Sequence, residues 1–475
     1  MHLKATKSQG GSVLLVTLAF VVVVAIAITG YLQLVRSQAA FVSRSQSWNA
    51  ALSLSEAGAE DGFALLNKNQ MSFFTPAYAW TNNLTSDGWS ALNNNVTSRT
   101  NYVGNNYYIV TITIPAGGGP PTIESEGYMQ DNSMLFTSAG GSQPYFAAAG
   151  VSVNGSQSGT VVARRVRVPT TRTNLFNAGI SAKNNITISG GWMVDSFDSG
   201  DTNYSTGGKY DAAKATDHAI VATDSTNSAC INSGGGAQVK GFAKTGPGGS
   251  CSFGGNGTVG DSAWVTNGNR GVQPGHYAND MNVYFPSVPA PNVSGWTMPL
   301  KILTPVTYGA TVTNYYWALN GTVGNYQMAN LSMASGENMA ISGGQVNLYV
   351  MGNISVNGYI YIYPGSSLRL FCNGATVTLG GGGAVNAGGV AADFCYYGTT
   401  NNTSFTYSGQ AYFAGSVYAP QAAVNMAGGS DYCGAIVANS FTSSGNASFH
   451  VDEGLYRNGA GSPYIAASWV EVKPQ

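Results

Sequence analysis

The sequence predicts a mainly β protein: a long N-terminal transmembrane α-helix, a small antiparallel sheet, and a C-terminal right-handed β-solenoid. Three observations predict it. Residues 8–35 carry no charged side chain and are dominated by Val, Leu, Ile and Ala. Only 9% of the 475 residues are Asp, Glu, Lys or Arg, while Gly alone accounts for 63. After residue 175, short β-branched strands broken by Gly and Asn recur at a spacing of about 20 residues.

Ordinary soluble domains devote about a quarter of their residues to charge. This chain must instead solvate itself with hydroxyls, amides and turn backbone, a composition common in exported β-rich proteins. Its length allows two or three domains. A net charge of −1 with no basic stripe gives no electrostatic case for nucleic acid.

The apolar run 13–35 reads VLLVTLAFVVVVAIAITGYLQLV. A bilayer core requires about 20 apolar residues at 1.5 Å each, and the run meets that length. Lys4 and Lys7 precede it, placing the N-terminus in the cytoplasm by the positive-inside rule, although Arg36 and Arg44 flank the far side. A secretory signal peptide is the competing reading, but the run exceeds the usual h-region and no clear A-x-A cleavage site follows it. No proline occurs before Pro76, and Leu52, Leu54, Ala57, Phe63 and Leu66 offer apolar faces. One helix over 12–66 is therefore predicted, roughly 80 Å long, apolar all round in its first half and amphipathic in its second.

Two segments of this region carry a family resemblance. Gln9-Gly10-Gly11-Ser12-Val13-Leu14-Leu15-Val16 and Ser53-Leu54-Ser55-Glu56-Ala57-Gly58-Ala59-Glu60-Asp61-Gly62 resemble the N-terminus of PilX-type minor pilin assembly proteins of type IV pili. The resemblance implies a leader over 1–11 ending at Gly11, a mature chain starting at Ser12, a prepilin peptidase as processing partner, and a helix that packs against other pilin-like subunits. Gly10 is the other junction. Major pilins carry Glu at the fifth mature position, where this chain has Val16.

Between 78 and 172 the chain reads as strands and turns. Residues 107–114 are β-branched and aromatic, 122–128 follow a Gly-Gly-Gly-Pro-Pro turn, and 160–168 alternate apolar and basic residues over their second half. A long helix followed by an antiparallel sheet matches the layout the resemblance implies. Arg164, Arg165, Arg167 and Arg172 read as a solvated strand face, with an anionic surface as the alternative.

Residues 175–460 are assigned to the solenoid and 461–475 to a C-terminal tail. The clearest repeat aligns 413–420 with 432–439, and 178–191 is an earlier relative. Coils with a period near 20 bury their apolar faces only by stacking on neighbours; a β-sandwich is the alternative. The tail of this region resembles an uncharacterised bacterial β-helix domain found behind pilin-type anchors, distantly similar to bactofilin-type solenoids.

No catalytic residue is predicted. His2, His218, His276 and His450 lack metal-ligand spacing, and no nucleophile elbow or phosphate-binding loop occurs. Asp195, Asp198 and Asp201 form a weak calcium candidate, with turn formation the plainer reading. His450, Asp452 and Glu453 form a second acidic group, read as a capping segment rather than a glycosidase pair. Of five cysteines, Cys230 and Cys251 are the disulfide candidate, while Cys372, Cys395 and Cys433 are expected to fill the solenoid interior. Tyr359, Tyr361 and Tyr363 share one strand face, as a stabilising ladder or a surface for glycans.

These readings combine into an expectation: a non-enzymatic, single-pass subunit of a type IV pilus-like or pseudopilus system. It displays its solenoid to the periplasm or cell surface. An anchored carbohydrate-binding or carbohydrate-active β-helix protein is the alternative, and a self-assembling scaffold without a pilus is a third.

Overall fold

The computed structural model describes residues 10–68, 79–81, 84–116, 119–131, 160–172, 174–302, 315–380, 385–386, 389–408, 412–429, 431–457 and 464–474. They fall into two compact units. One holds the N-terminal helix, Trp80–Thr171 and Tyr464–Gln475; the other holds Arg172–Pro463.

Helix α1 runs over Gly10–Lys68, two residues beyond the predicted span at each end. Lys68 in its last turn complements the helix dipole and pairs with Asp87. Among the described residues, α1 is the one helix long and apolar enough to cross a membrane. Its two halves differ in packing. The side chains from Val13 to Val42 stand largely exposed, and Ser47 is the first buried one. From there Ala51, Ser55, Gly58, Ala59, Gly62, Leu65 and Leu66 form the buried face.

That face lies on a sheet made of β1 (Val96–Val103), β2 (Asn106–Thr113), β3 (Thr122–Asp131) and β4 (Thr160–Arg172), paired antiparallel in chain order. Tyr108, Val110 and Ile112 alternate inward along β2, as a one-sided sheet requires. The final residues are not a free tail: Tyr464–Ala466 and Val470–Val472 join this sheet, the latter antiparallel to β4.

Small residues let helix and sheet backbones approach closely. A Cβ on Gly127 of β3 would sit 2.6 Å from the Ser55 nitrogen of α1, and one on Gly62 would sit 2.8 Å from Ile123. Of the apolar residues that the sequence marks for this face, Leu66 is fully buried, Leu52, Leu54 and Phe63 are half-buried, and Ala57 is exposed.

The second unit is a ladder of parallel strands. Gly415 and Gly434, the sequence repeat, are register partners. The third relative stacks on the second: Ile180–Ala182 pairs with 436–438, and 186–188 with 441–443. The chain thus enters its stack in the middle. It builds outward to 278, crosses to the far end, and returns from Tyr315 until 432–452 meets 180–197. An inner row of register partners, Tyr326, Leu348, Leu370, Tyr396, Val417, Ile436, Ile180 and Val221, passes without interruption through this junction. All belong to one buried apolar core.

The crossing segment, 279–302, lies over the outside of the strands as a strap. The Met281 N–H donates to the Thr245 carbonyl, Val288 bridges Thr399, Thr297 bridges Tyr326, and the Ile302 N–H donates to the Tyr316 carbonyl.

Candidate functional site

The junction of first and last strands gathers both acidic groups singled out in the sequence. Asp195 lies in Met193–Phe197 and His450 in Ser448–Asp452, in parallel register. Parallel register points both side chains to the same face, and His450 Nδ1 lies 2.5 Å from Asp195 Oδ1. Both are almost fully buried. The Tyr210 hydroxyl donates to Asp195 Oδ2 at 2.9 Å, and its ring stacks on His450 at a centroid distance of 3.5 Å. Burial, reinforced by the Asp195 charge, raises the Tyr210 pKa, so this hydroxyl is a donor at neutral pH.

Cys433 is the register partner of His450 on the other side. The Tyr412 hydroxyl donates to its sulfur at 2.6 Å, and burial pushes the thiol pKa well up. A thiol held neutral in this way is a poor nucleophile.

The loop after Asp195 is tied to the end of Ser448–Asp452 and the short 3-10 turn that follows it. Hydrogen bonds from Arg457 hold the Asp198 carboxyl below its ordinary 3.8. Asp201 accepts from the Asn203 N–H at 2.8 Å in a local turn. Asp452 Oδ1 accepts from the Ser199 and Gly454 N–H groups at 3.0 and 2.9 Å, while Oδ2 is buried with no hydrogen-bond partner among the described residues. Burial raises the Asp452 pKa. Glu453 accepts from the Thr216 hydroxyl at 3.0 Å and lies 3.4 Å from His218 Nδ1.

The calcium candidates therefore face different partners: Asp195 faces His450, Asp198 faces Arg457, and Asp201 caps its own turn. Among the described residues, no three His, Cys, Asp or Glu side chains are grouped to hold a metal ion. The arrangement supplies fixed polar contacts that lock one strand onto another. Aligning 178–191 with the 432–444 region and continuing by one strand brings His450 beside Asp195. The tyrosines come from loops and Arg457 from a short 3-10 turn, and they carry no such signal.

The remaining candidates distribute as follows. Gly11 and Ser12 lie in the first turn of α1. Cys230 and Cys251 are free thiols; Cys230 immediately precedes the strand Ile231–Gly235, whose Ile231 is the register partner of Cys251. Burial first, and the neighbouring Cys230 second, push the Cys251 pKa up to about 12. Of the three cysteines assigned to the interior, Cys372 lies in the inner core. Cys395 and Cys433 instead face outward, buried under covering segments. Tyr359 and Tyr361 stack on each other at 5.6 Å, and the hydroxyls of Tyr315 and Tyr363 lie 2.8 Å apart. These rings spend their faces on one another, as in a ladder. Arg165 and Arg167 pair with Glu124, and Arg164 pairs with Glu471 while lying 5.6 Å above the Trp48 ring. The arginine face is thus largely neutralised within its own sheet.

Fold and geometry together define a class: a mainly β protein with a long apolar N-terminal helix, an antiparallel sheet, and a stack of parallel strands closed by a polar junction. The family described as Domain of unknown function (DUF7305) matches residues 313–458, within that stack. A solved structure, the competence-associated pilin ComZ from Thermus thermophilus, is similar at 13% identity, covering 90% of this chain and 97% of that one, with a TM-score of 0.25. No curated protein matches.

Proposed function

We propose that this chain is a membrane-anchored structural or assembly subunit of a type IV pilus-like or pseudopilus system. Its parallel stack would be a right-handed β-solenoid displayed outside the cytoplasmic membrane. The observation that carries the reading is the division of labour along α1. The segment from Val13 to Val35 is exposed and apolar, while the segment from Ser47 onward is buried against its own sheet by small residues. A helix needed only as an anchor has no use for such a continuous second half. A helix that must hold its domain at fixed orientation while offering a long apolar surface to a bilayer, or to neighbouring helices, does.

The resemblance of 9–16 and 53–62 to PilX-type proteins supports the same reading, including cleavage after Gly11, an N-in orientation, and other pilin-like subunits as partners. N-terminal sequencing of the mature protein tests the processing. A start at Ser12 supports it; a start well beyond residue 28 means an ordinary signal peptide and ends the pilin reading. Deleting residues 12–35 should release the protein from membranes, and persistence in the membrane fraction would overturn the anchor.

A further inference from the structure

We propose that a small cavity on the outer face of the parallel stack binds a short-chain monocarboxylate such as acetate. Arg369, Cys395 and Ser416 are successive register partners on adjacent strands. Their chain neighbours Leu370, Tyr396 and Val417 belong to the inner core, so strand alternation turns this row outward. A cavity of about 60 Å³ lies over the row. Leu175 and Phe176, which precede the first strand of the stack, and Leu455, from the turn after Ser448–Asp452, also line it and are buried. Phe176 stands edge-on to Tyr418, with ring centroids 6.0 Å apart.

The two ends of the row make the cavity polar. Ser416 is 1% exposed, and its Oγ has no hydrogen-bond partner among the described residues. The Cys395 thiol beside it is a weak partner whose own proton is directed at the Ala392 carbonyl, 3.7 Å away. A buried hydroxyl is costly without a partner, and the cavity is the space in which one can sit. At the other end Arg369, half-buried with Ser367, supplies the positive charge. Burial raises the Cys395 and Tyr397 pKa values, and the Arg369 charge opposes the rise at both. Asp393, the carboxylate that acts on Cys395, has its own pKa raised by burial, which weakens its competing charge.

The volume has room for about four water-sized groups. Water suits it poorly, because each buried molecule needs about two to four polar partners and the Leu175, Phe176 and Leu455 side chains offer none. A carboxylate with a short alkyl group matches both kinds of lining. Its oxygens accept from the Ser416 hydroxyl and the Arg369 guanidinium, a charge-assisted pairing, while its methyl group lies against the apolar side chains. Strands stand about 4.8 Å apart, so about 10 Å separates the Ser416 and Arg369 backbones, a span that the long arginine side chain and one carboxylate fill. A monovalent anion also matches the single cationic side chain of the lining.

The test uses the full-length protein in detergent, with sodium acetate replacing sodium chloride at constant ionic strength and neutral pH. A ligand that binds the folded state raises the Tm. The Tm should rise with acetate and saturate, and saturation-transfer NMR should show the acetate methyl in contact with protein. Sodium phosphate and the bulkier trimethylacetate should not reproduce the shift. Ser416→Ala removes the buried hydroxyl without adding bulk, and Arg369→Gln removes the charge. Each should raise the half-saturating acetate concentration about tenfold, the loss of one hydrogen bond to a charged group. Arg369→Lys keeps the charge and should bind more tightly than Arg369→Gln, which separates the site from a general effect on folding. A Tm that responds to acetate no more than to chloride means that the cavity holds water alone and overturns the proposal. Unchanged half-saturation in Ser416→Ala or in Arg369→Gln overturns it as well.

Discussion

Asp195 and His450 meet at 2.5 Å although 255 positions separate them in the chain. Their contact marks where a stack that begins in its own middle is closed. The inner row of apolar register partners supplies the general driving force there. The Asp195, His450 and Tyr210 contacts favour one register over a slip by one residue, which would turn every side chain to the wrong face.

Removing one member of this pair leaves the other buried without its partner. Asp195→Ala or His450→Ala should therefore cost about 1–3 kcal/mol locally, the cost of leaving a buried polar group short of a partner. Hydrogen exchange on the full chain should report faster exchange in 180–197 and 432–452, with 345–379 unchanged. Equal protection of the junction in both variants would mean that the pair has no locking role.

Features written in local pattern were legible in the sequence. The uncharged run gives the anchor, and the repeat around Gly415 and Gly434 gives two adjacent strands in their correct register. Chain order around the stack was not legible, because stacking on a sequence neighbour and stacking on a strand 255 residues away use the same alternation. The helix–sheet contact was hidden for a different reason. Periodicity counts large apolar side chains, and this contact is built from Ser47, Ala51, Ser55, Gly58 and Gly62. The tail resisted because strands as short as Val470–Val472 carry too little pattern to stand out.

Glu124 makes the antiparallel sheet acid-sensitive. Burial alone would raise its pKa, but hydrogen bonds and charge from Arg167 and Arg165 outweigh it and hold the carboxyl below the ordinary 4.5. A depressed folded-state value means that the stabilisation is complete above about pH 4.5 and is lost as the pH falls through the folded value. The Tm of the sheet should drop in that acid range. Arg167→Gln should lower the Tm at neutral pH and flatten the acid decline. An unchanged acid slope in the variant would remove Glu124 from the explanation.

Asp452 works in the opposite sense. Burial raises its pKa, and Oδ2 has no partner among the described residues to compensate. A carboxyl whose folded value lies above its unfolded one binds its proton more tightly when folded, so the charged form weakens the fold at neutral pH. The handicap is relieved as pH falls through the folded value. Asp452→Asn keeps an oxygen to accept from Ser199 and Gly454 and removes the charge. It should raise the Tm at pH 7 and have little effect near pH 3. A lowered Tm at pH 7 would mean that the charge is needed.

Gly127 tests whether α1 and its sheet move as one body. A methyl group there would meet the Ser55 nitrogen at 2.6 Å and the Leu54 Cβ at 2.8 Å, and helix backbone cannot rotate away as a side chain can. Gly127→Ala should cost about 1–3 kcal/mol by overpacking. Gly30→Ala is the matched control, because its added Cβ meets nothing within 4 Å. Hydrogen exchange over 47–66 should accelerate in the first variant and stay unchanged in the second. If both behave alike, the small-residue face is not what couples the helix to its sheet. In that case α1 does not fix the orientation of the sheet it carries, while its apolar first half still suffices as an anchor.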